Sequence, residues 1–348
     1  MDIELDIIKS FLSEITNDDV SSVLYDHKCY DIIFRLPNST CFDKACKKYI
    51  FNKKRMEIYY KEIKPLLEQL GIPFAIVKGV VLSQTAYGNP FIRNSGDIDI
   101  LVAPQDISKV YHVMKKNNFI QGTIINGGIV AASREKRVYQ TFYSHQLLPF
   151  IKKTDSCLCP YICVDINTNI VWGENNNKID MQELLSHREI INIEGIGLYK
   201  LDPINEFIAL CLHHYKDMNS IYLLYQGSLN LKLYLDIYRY IQHQENNLLI
   251  NELHARANNL NVLPYVFYCI EQTAQLFPDR ILKFYSNSLK TTEGEILLNR
   301  FGLDDREQKI WKFPLLERLF SVDFHEKFIS MLSEDDVKKI NLNISMMH

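Results

Sequence analysis

The hydrophobic period of this 348-residue chain changes twice, and these changes limit the folds that it can adopt. Apolar residues recur at helical spacing through residues 3–70, until Gly71-Ile72-Pro73 ends the pattern. Short apolar runs, typical of buried strands, then alternate with helical patterns up to about residue 195. The helical period returns from Pro203 and continues to the C-terminus. The pattern predicts an α/β module between two helical segments.

The boundaries of these segments follow from the same pattern. We predict a helical N-terminal segment over 1–70, a mixed core over 71–200 and a helical C-terminal domain over 201–348. Within the core, the apolar runs predict strands at 74–77, 97–102, 136–150 and 161–168, with helices after the first two.

Composition excludes several classes of protein. A hydrophobic content of 47% and an aromatic content of 11% exclude intrinsic disorder. Lys and Arg total 39 against 42 Asp and Glu, a formal net charge of -3, so the chain lacks the basic character of a general nucleic-acid binder. The acidic N-terminus, the low number of cysteines (eight, of which five stand singly) and the lack of any apolar run of about 18 residues predict a cytoplasmic protein. We expect neither membrane nor DNA as a partner.

The sharpest local feature is the pair Asp97 and Asp99 at the start of a predicted strand. Side chains two residues apart on a strand point to the same face, so both carboxylates meet there. Two adjacent like charges are unfavourable unless a cation neutralises them, and Mg²⁺ prefers carboxylate oxygen. The pair is therefore a candidate metal site, although an Asp-x-Asp by itself is more often a solvated strand edge.

Neighbouring residues favour a phosphate ligand beside this pair. Gly79 directly follows a predicted strand and precedes a helix, where glycine lets the backbone approach phosphate oxygens closely. Lys78 and Arg93 could supply positive charge to a triphosphate. The alternatives are a simple tight turn at Gly79 and a surface ion pair at Arg93.

A third carboxylate, Asp165, stands between Val164 and Ile166 in another predicted strand. An unpaired charge in such surroundings is unfavourable, so a metal ion or another cation is its natural partner. The alternative is an Asp at a sheet edge bonded to Lys or Arg.

Together these motifs resemble the uncharacterised bacterial nucleotidyltransferase-like family, which is similar to the DNA polymerase beta nucleotidyltransferase superfamily. The resemblance covers roughly residues 65 to 240 and rests on Lys78-Gly79, Leu82, Tyr87, Arg93, the Asp97–Val102 run and Val164-Asp165-Ile166-Asn167. It implies an α+β fold with a nucleotidyltransferase-type mixed sheet. It also implies that Asp97, Asp99 and Asp165 are the metal-binding and catalytic carboxylates. Many relatives have His at the position of Asn167, and the superfamily usually has Gly-Ser or Gly-Gly where this chain has Lys78-Gly79.

The predicted function is metal-dependent nucleotidyl transfer. An NTP, with ATP expected, would donate NMP to an acceptor hydroxyl and release pyrophosphate, with Mg²⁺ or Mn²⁺ held by Asp97, Asp99 and Asp165. Lys78, Gly79 and Arg93 would bind the nucleotide. A small-molecule acceptor is favoured over RNA or protein. The alternatives are NMP transfer to a macromolecule such as tRNA or protein, as in a toxin, and a catalytically silent nucleotide-binding module.

Four other features of the sequence are weaker candidates for a functional site. Cys157-x-Cys159-x3-Cys163 lacks a fourth zinc ligand at suitable spacing. His145 could face the site, but a hydrogen-bonded sheet residue is the simpler interpretation. The pair His213-His214 lies on a predicted helix, where a packed or capping histidine is expected. The basic run 134–137 is expected to be solvated surface, or a phosphate contact if the acceptor is RNA.

Overall fold

The computed structural model describes residues 3–15, 19–173, 175, 177–303 and 308–347. The chain begins with helices, as its periodicity predicts. Their bounds are α1 (Ile3–Ile15), α2 (Val20–Asp26), α3 (Tyr30–Ile33) and α4 (Phe42–Gln69).

Strands and helices then alternate, beginning directly after the predicted break at Gly71-Ile72-Pro73. The elements are β1 (Phe74–Val77), α5 (Gly79–Tyr87), β2 (Ile98–Val102), a 3-10 turn (Pro104–Asp106), α6 (Ile107–Lys116), β3 (Ile120–Ile125), β4 (Gly128–Ala131), α7 (Arg134–Tyr143), β5 (Phe150–Lys153), β6 (Tyr161–Asn167), α8 (Met181–Ser186), β7 (Glu189–Ile193) and β8 (Ile196–Lys200).

The described part of the remainder is helical apart from one very short strand pair. It comprises α9 (Pro203–Asn219), α10 (Ile221–Tyr225), α11 (Leu231–Gln244), α12 (Ile250–Asn259), α13 (Leu263–Leu276), α14 (Arg280–Leu289), α15 (Thr292–Leu297), β9 (Arg300–Phe301), β10 (Lys309–Ile310), α16 (Leu315–Phe320), α17 (Phe324–Ile329) and α18 (Glu334–Met347). Among the described residues, no helix is both long enough and apolar enough to cross a membrane.

Backbone contacts group the chain into two compact units. The sheet unit comprises residues 48–209, and the helical unit comprises residues 1–47 together with 210–348. Most of α4 therefore belongs with the strands that follow it. The division at residues 70 and 200 stays a prediction.

The sheet unit contains a mixed sheet of six strands among its described residues, in the order β1-β2-β6-β5-β3-β4. The central pair, β2 and β6, is parallel, and the other neighbouring pairs are antiparallel. Helical segments precede and follow this sheet in the chain. The predicted α+β class, with a mixed sheet and helical flanks, is confirmed.

Strand alternation decides which side chains enter the core of the sheet unit. In β2 the even-numbered Ile98, Ile100 and Val102 join the hydrophobic core, and in β6 the same is true of Ile162, Val164 and Ile166. Residues of α4 and α6 pack into the same core. Because successive side chains point to opposite faces, the odd-numbered residues of both strands share the other face.

The strand predicted over 136–150 is wrong for most of its length. Residues 134–143 form α7, and only Phe150 belongs to a strand. The Ser133 hydroxyl accepts a hydrogen bond from the backbone N–H of Lys136, which caps this helix. A serine followed by a run of good helix formers was the missed signal.

The hairpin of β3 and β4 was not predicted from the sequence. Its two-residue turn is Asn126-Gly127, and both residues have positive φ, at 49° and 73°. Asn-Gly is the preferred pair for a type I′ turn, so this dipeptide could have predicted the hairpin.

Gly122 lies where β3 and β4 approach too closely for a side chain. A Cβ at Gly122 would overlap the Val130 carbonyl oxygen, whereas one at Gly128 would lie 3.6 Å from its nearest neighbour. We expect Gly122→Ala to lower the free energy of unfolding by about 1–3 kcal/mol, because backbone must shift. Urea denaturation of both variants tests this, with Gly128→Ala as the matched control. Equal stability of the two variants would contradict the proposed steric conflict.

Candidate active site

The three predicted carboxylates lie at one end of the central strand pair. Asp99 in β2 is the register partner of Asp165 in the parallel strand β6, so their side chains point to the same face. Asp97 precedes Asp99 by two residues, just before β2 begins. Asp97 and Asp99 both raise the pKa of Asp165, so the three groups interact electrostatically. Two strands that are distant in sequence bring these carboxylates together.

Asp165 is the most perturbed of the three. Burial, together with the charges of Asp97 and Asp99, raises the pKa of its carboxyl to about 8, against the lowering effects of Lys78 and a Gln146 hydrogen bond. Its Oδ1 atom is buried and has no hydrogen-bond partner among the described residues. A buried carboxylate oxygen in this state is suited to a cation.

Asp99 is held by two donors. The Lys78 Nζ atom lies 3.0 Å from Asp99 Oδ1, and the Asn167 side-chain amide donates to the same oxygen at 3.1 Å. Asp99 is buried, so this ion pair is shielded from water. The Lys78 ammonium supplies the positive charge that a metal ion would otherwise supply.

The turn between β1 and α5 has an unusual backbone. Lys78 has φ 60° and ψ −144°, and Gly79 follows with φ 50°. A lysine in this conformation is strained by roughly 1–3 kcal/mol, and such strain concentrates at functional sites. A Cβ at Gly79 would be in ordinary van der Waals contact with Ser95 Oγ and Tyr60 OH, both 3.5 Å away, so the positive φ rather than a lack of space favours glycine here.

Arg93 lies in the loop between α5 and β2, and two buried side chains fix its backbone. The Asn52 amide donates to the carbonyls of Phe91 at 2.9 Å and of Arg93 at 3.4 Å, and its oxygen accepts from the Ser95 N–H at 3.3 Å. The Ser83 hydroxyl accepts from the Arg93 N–H at 3.1 Å. The half-exposed Arg93 side chain therefore extends from a rigid segment four residues before Asp97.

Several of these contacts were missed in the sequence. Asn52 and Tyr60 lie on α4, where a single polar residue or a tyrosine has no distinguishing pattern. Gln146 forms an isolated bridge with Asn167, and its side chain reaches Asp165. Asn167 was noticed only as a departure from relatives, and its bond to Asp99 depends on the strand pairing.

His145, the cysteine cluster and the histidine pair lie outside the group of three carboxylates. The His145 carbonyl accepts hydrogen bonds from the backbone and hydroxyl of Thr168, beside the Asn167 end of β6. Cys163 shares the Asp165 face, and burial raises the pKa of its thiol to about 11. Among the described residues, the cysteines do not group as metal ligands, whereas His213, His214 and Asp217 do.

Comparison with known proteins found a matching family. A family model described as an uncharacterised nucleotidyltransferase matches residues 17–278. The chain belongs to this family. The match covers the whole sheet unit, and it confirms the resemblance inferred from the motifs. Membership gives the chain a transferase role of the nucleotidyl type. No curated protein and no solved structure matches the chain.

The pKa of Asp165 has a consequence for stability. Its folded-state pKa, about 8, exceeds the unfolded value of about 4, so between these pH values unfolding releases a proton and stability falls as pH rises. In the presence of a chelator, we expect the free energy of unfolding of Asp165→Asn, relative to that of wild type, to increase by at least about 1 kcal/mol from pH 5 to pH 8. Denaturation at both pH values measures this, and Asp155→Asn is the control for a changed charge.

The same variant separates a ligand-binding Asp from a structural one. Mg²⁺ with NTP should raise the melting temperature of wild type and of Asp155→Asn but not of Asp165→Asn. A large destabilisation of Asp165→Asn that is the same at both pH values and with or without Mg²⁺ would indicate a structural ion pair instead.

Proposed function

We propose that this protein transfers NMP from an NTP, ATP being the expected donor, to a hydroxyl group of a small molecule and releases pyrophosphate. The observation that carries the proposal is the register pairing of Asp99 with Asp165, with Asp97 two residues before Asp99, in a chain of the nucleotidyltransferase family. Three carboxylates on one face of a sheet repel one another, so this arrangement lowers the stability of the fold unless a cation is bound.

The donor set fits a hard divalent cation. Asp97, Asp99 and Asp165 offer only carboxylate oxygens, and the buried Oδ1 of Asp165 has no hydrogen-bond partner among the described residues. These residues would hold Mg²⁺ or Mn²⁺. When bound, the ions would neutralise phosphate charge and lower the pKa of the acceptor hydroxyl.

The chain's own residues would bind and orient the triphosphate. Lys78 is paired with Asp99, and a cation at the carboxylates would free its ammonium to contact phosphate oxygens. Gly79 would let the N-terminus of α5 approach the phosphates closely. Arg93, with its backbone fixed by Asn52 and Ser83, would add a planar guanidinium suited to bidentate contact with phosphate.

Transfer to a macromolecule is the second candidate. Arg134 and Arg137 of α7 line a pocket of about 260 Å³ together with Tyr111, which would suit a phosphate of an RNA acceptor. The net charge of -3 and the short length of this basic surface favour a small molecule. A cytoplasmic location stays a prediction from the sequence.

Removal of either paired carboxylate tests the catalytic assignment. We expect Asp97→Asn and Asp99→Asn each to lower the rate of NMP transfer at least 100-fold, a loss of ~2.7 kcal/mol of transition-state stabilisation. Labelled NTPs incubated with Mg²⁺ and a metabolite extract, followed by mass analysis of the products, measure the rate. Circular dichroism should show an unchanged fold for Asp97→Asn, which removes a like-charge repulsion, whereas Asp99→Asn also breaks the buried pair with Lys78 and should lower the melting temperature. Full activity of either variant would refute the assignment.

Arg93 is tested through nucleotide affinity. Arg93→Ala should weaken NTP binding about 10- to 100-fold, the effect of losing ~1.5–3 kcal/mol from a charged hydrogen-bonded contact. Calorimetric titration with NTP and Mg²⁺ measures the affinity, and Arg137→Ala, an exposed arginine of the same unit, is the control. Unchanged NTP affinity in Arg93→Ala would indicate that Arg93 does not bind the nucleotide.

A further inference from the structure

A second group of potential metal ligands lies in the helical unit. His213, His214 and Asp217 of α9 each offer one ligand atom, and these atoms lie within 4.8 Å of one another. All three belong to residues 210–348, whereas the carboxylate group belongs to the sheet unit. The nucleotidyl transfer proposed above makes no use of them.

Two of these ligands already have a spacing that suits a shared metal ion. His213 Nε2 lies 3.2 Å from Asp217 Oδ2, and the residues are four apart on one face of α9. Two atoms bound at about 2.0–2.1 Å to one tetrahedral ion lie about 3.4 Å apart. Both side chains are about one-fifth exposed, so an ion from solvent can reach them.

His214 has the kind of support that metal-binding histidines have. Its Nε2 lies 3.0 Å from Oδ2 of Asp236 on α11, and both side chains are fully buried. A carboxylate that accepts the Nε2–H fixes the ring orientation and leaves the lone pair on Nδ1, the nitrogen that would bind a metal. Metal-bound histidines nearly always donate their other N–H in this way.

We propose that His213, His214 and Asp217 bind a divalent transition-metal ion, Zn²⁺ being the best fit, with solvent in the remaining position. Two imidazole nitrogens and one carboxylate suit Zn²⁺, whereas Mg²⁺ requires an oxygen environment. Through the His214–Asp236 bond the ion would brace α9 against α11. The site is distinct in chemistry from the all-carboxylate group.

The direct test is metal binding by the full-length protein. After removal of metals with a chelator, the protein is titrated with Zn²⁺ and, as a spectroscopic probe, with Co²⁺, in excess Mg²⁺. We expect one equivalent of Zn²⁺ to bind and to raise the melting temperature, and Co²⁺ to give visible absorption bands without a thiolate charge-transfer band. A thiolate band would place the ion at the cysteines and overturn the proposal, as would the lack of stoichiometric binding.

Variants locate the ion. His213→Ala should weaken Zn²⁺ binding more than about 100-fold. Losing a residue that only hydrogen-bonds to a metal ligand typically weakens binding about 10–100-fold, and losing a ligand itself should weaken it more. The matched control is His187→Ala, because His187 also pairs with a carboxylate four residues away, Glu183, at 3.0 Å. His187→Ala and Asp97→Asn should bind Zn²⁺ as wild type does. Equal affinity in His213→Ala and wild type would overturn the proposal.

The buried partner gives an independent measurement. Asp236→Asn should weaken Zn²⁺ binding about 10–100-fold, because a neutral amide holds the Nε2–H tautomer of His214 less strongly than the carboxylate does. The melting temperature without metal shows whether the variant is folded. If it is unfolded, Asp217→Asn replaces it, with a loss like that of His213→Ala. Wild-type affinity in a folded variant would contradict the proposed role of Asp236 in the site.

Discussion

The parallel pairing of β2 with β6 places Asp99 beside Asp165 on one face of the sheet, and the rest of the site depends on this contact. Like charges in a partly buried position are unfavourable, and Asp97 adds a third. The protein compensates with the Lys78 ammonium, with the Asn167 amide and with a shift of Asp165 toward its protonated form. A divalent cation would replace all three of these interactions, which is the physical basis for the proposed metal site.

Helix α4 packs into the core of the sheet unit and forms hydrogen bonds with the segments that carry the carboxylates. Arg55 donates a hydrogen bond to the Ser95 carbonyl, in the loop that leads to Asp97. The Tyr59 hydroxyl donates to the Tyr161 carbonyl at 2.9 Å, at the start of β6. One helix therefore positions both the loop before β2 and the strand that carries Asp165.

The turn at Lys78 and Gly79 is supported through α5. Thr85 on this helix donates to Glu206 Oε1 at 2.9 Å, and the other oxygen of Glu206 lies 3.3 Å from Lys200 Nζ. All three side chains are buried, and removal of one partner from such a network leaves an uncompensated charge or polar group. The network fixes α5, so the strained backbone at its N-terminus is held in place.

The sequence by itself determined where the chain changes from helices to strands, and it determined β1, β2 and β6, because alternation and short apolar runs are local properties. It also supplied Asp97, Asp99 and Asp165 as candidates, since charges inside apolar runs need a partner wherever the strands lie. Tertiary structure decided the pairings: Lys78 contacts Asp99 across 21 residues, and Asn167 does so across 68. Strand order sets such distances, and no local pattern encodes it. For the same reason a lone polar residue such as Asn52, which fixes the Arg93 loop, could not be distinguished from the solvated side chains of its helix.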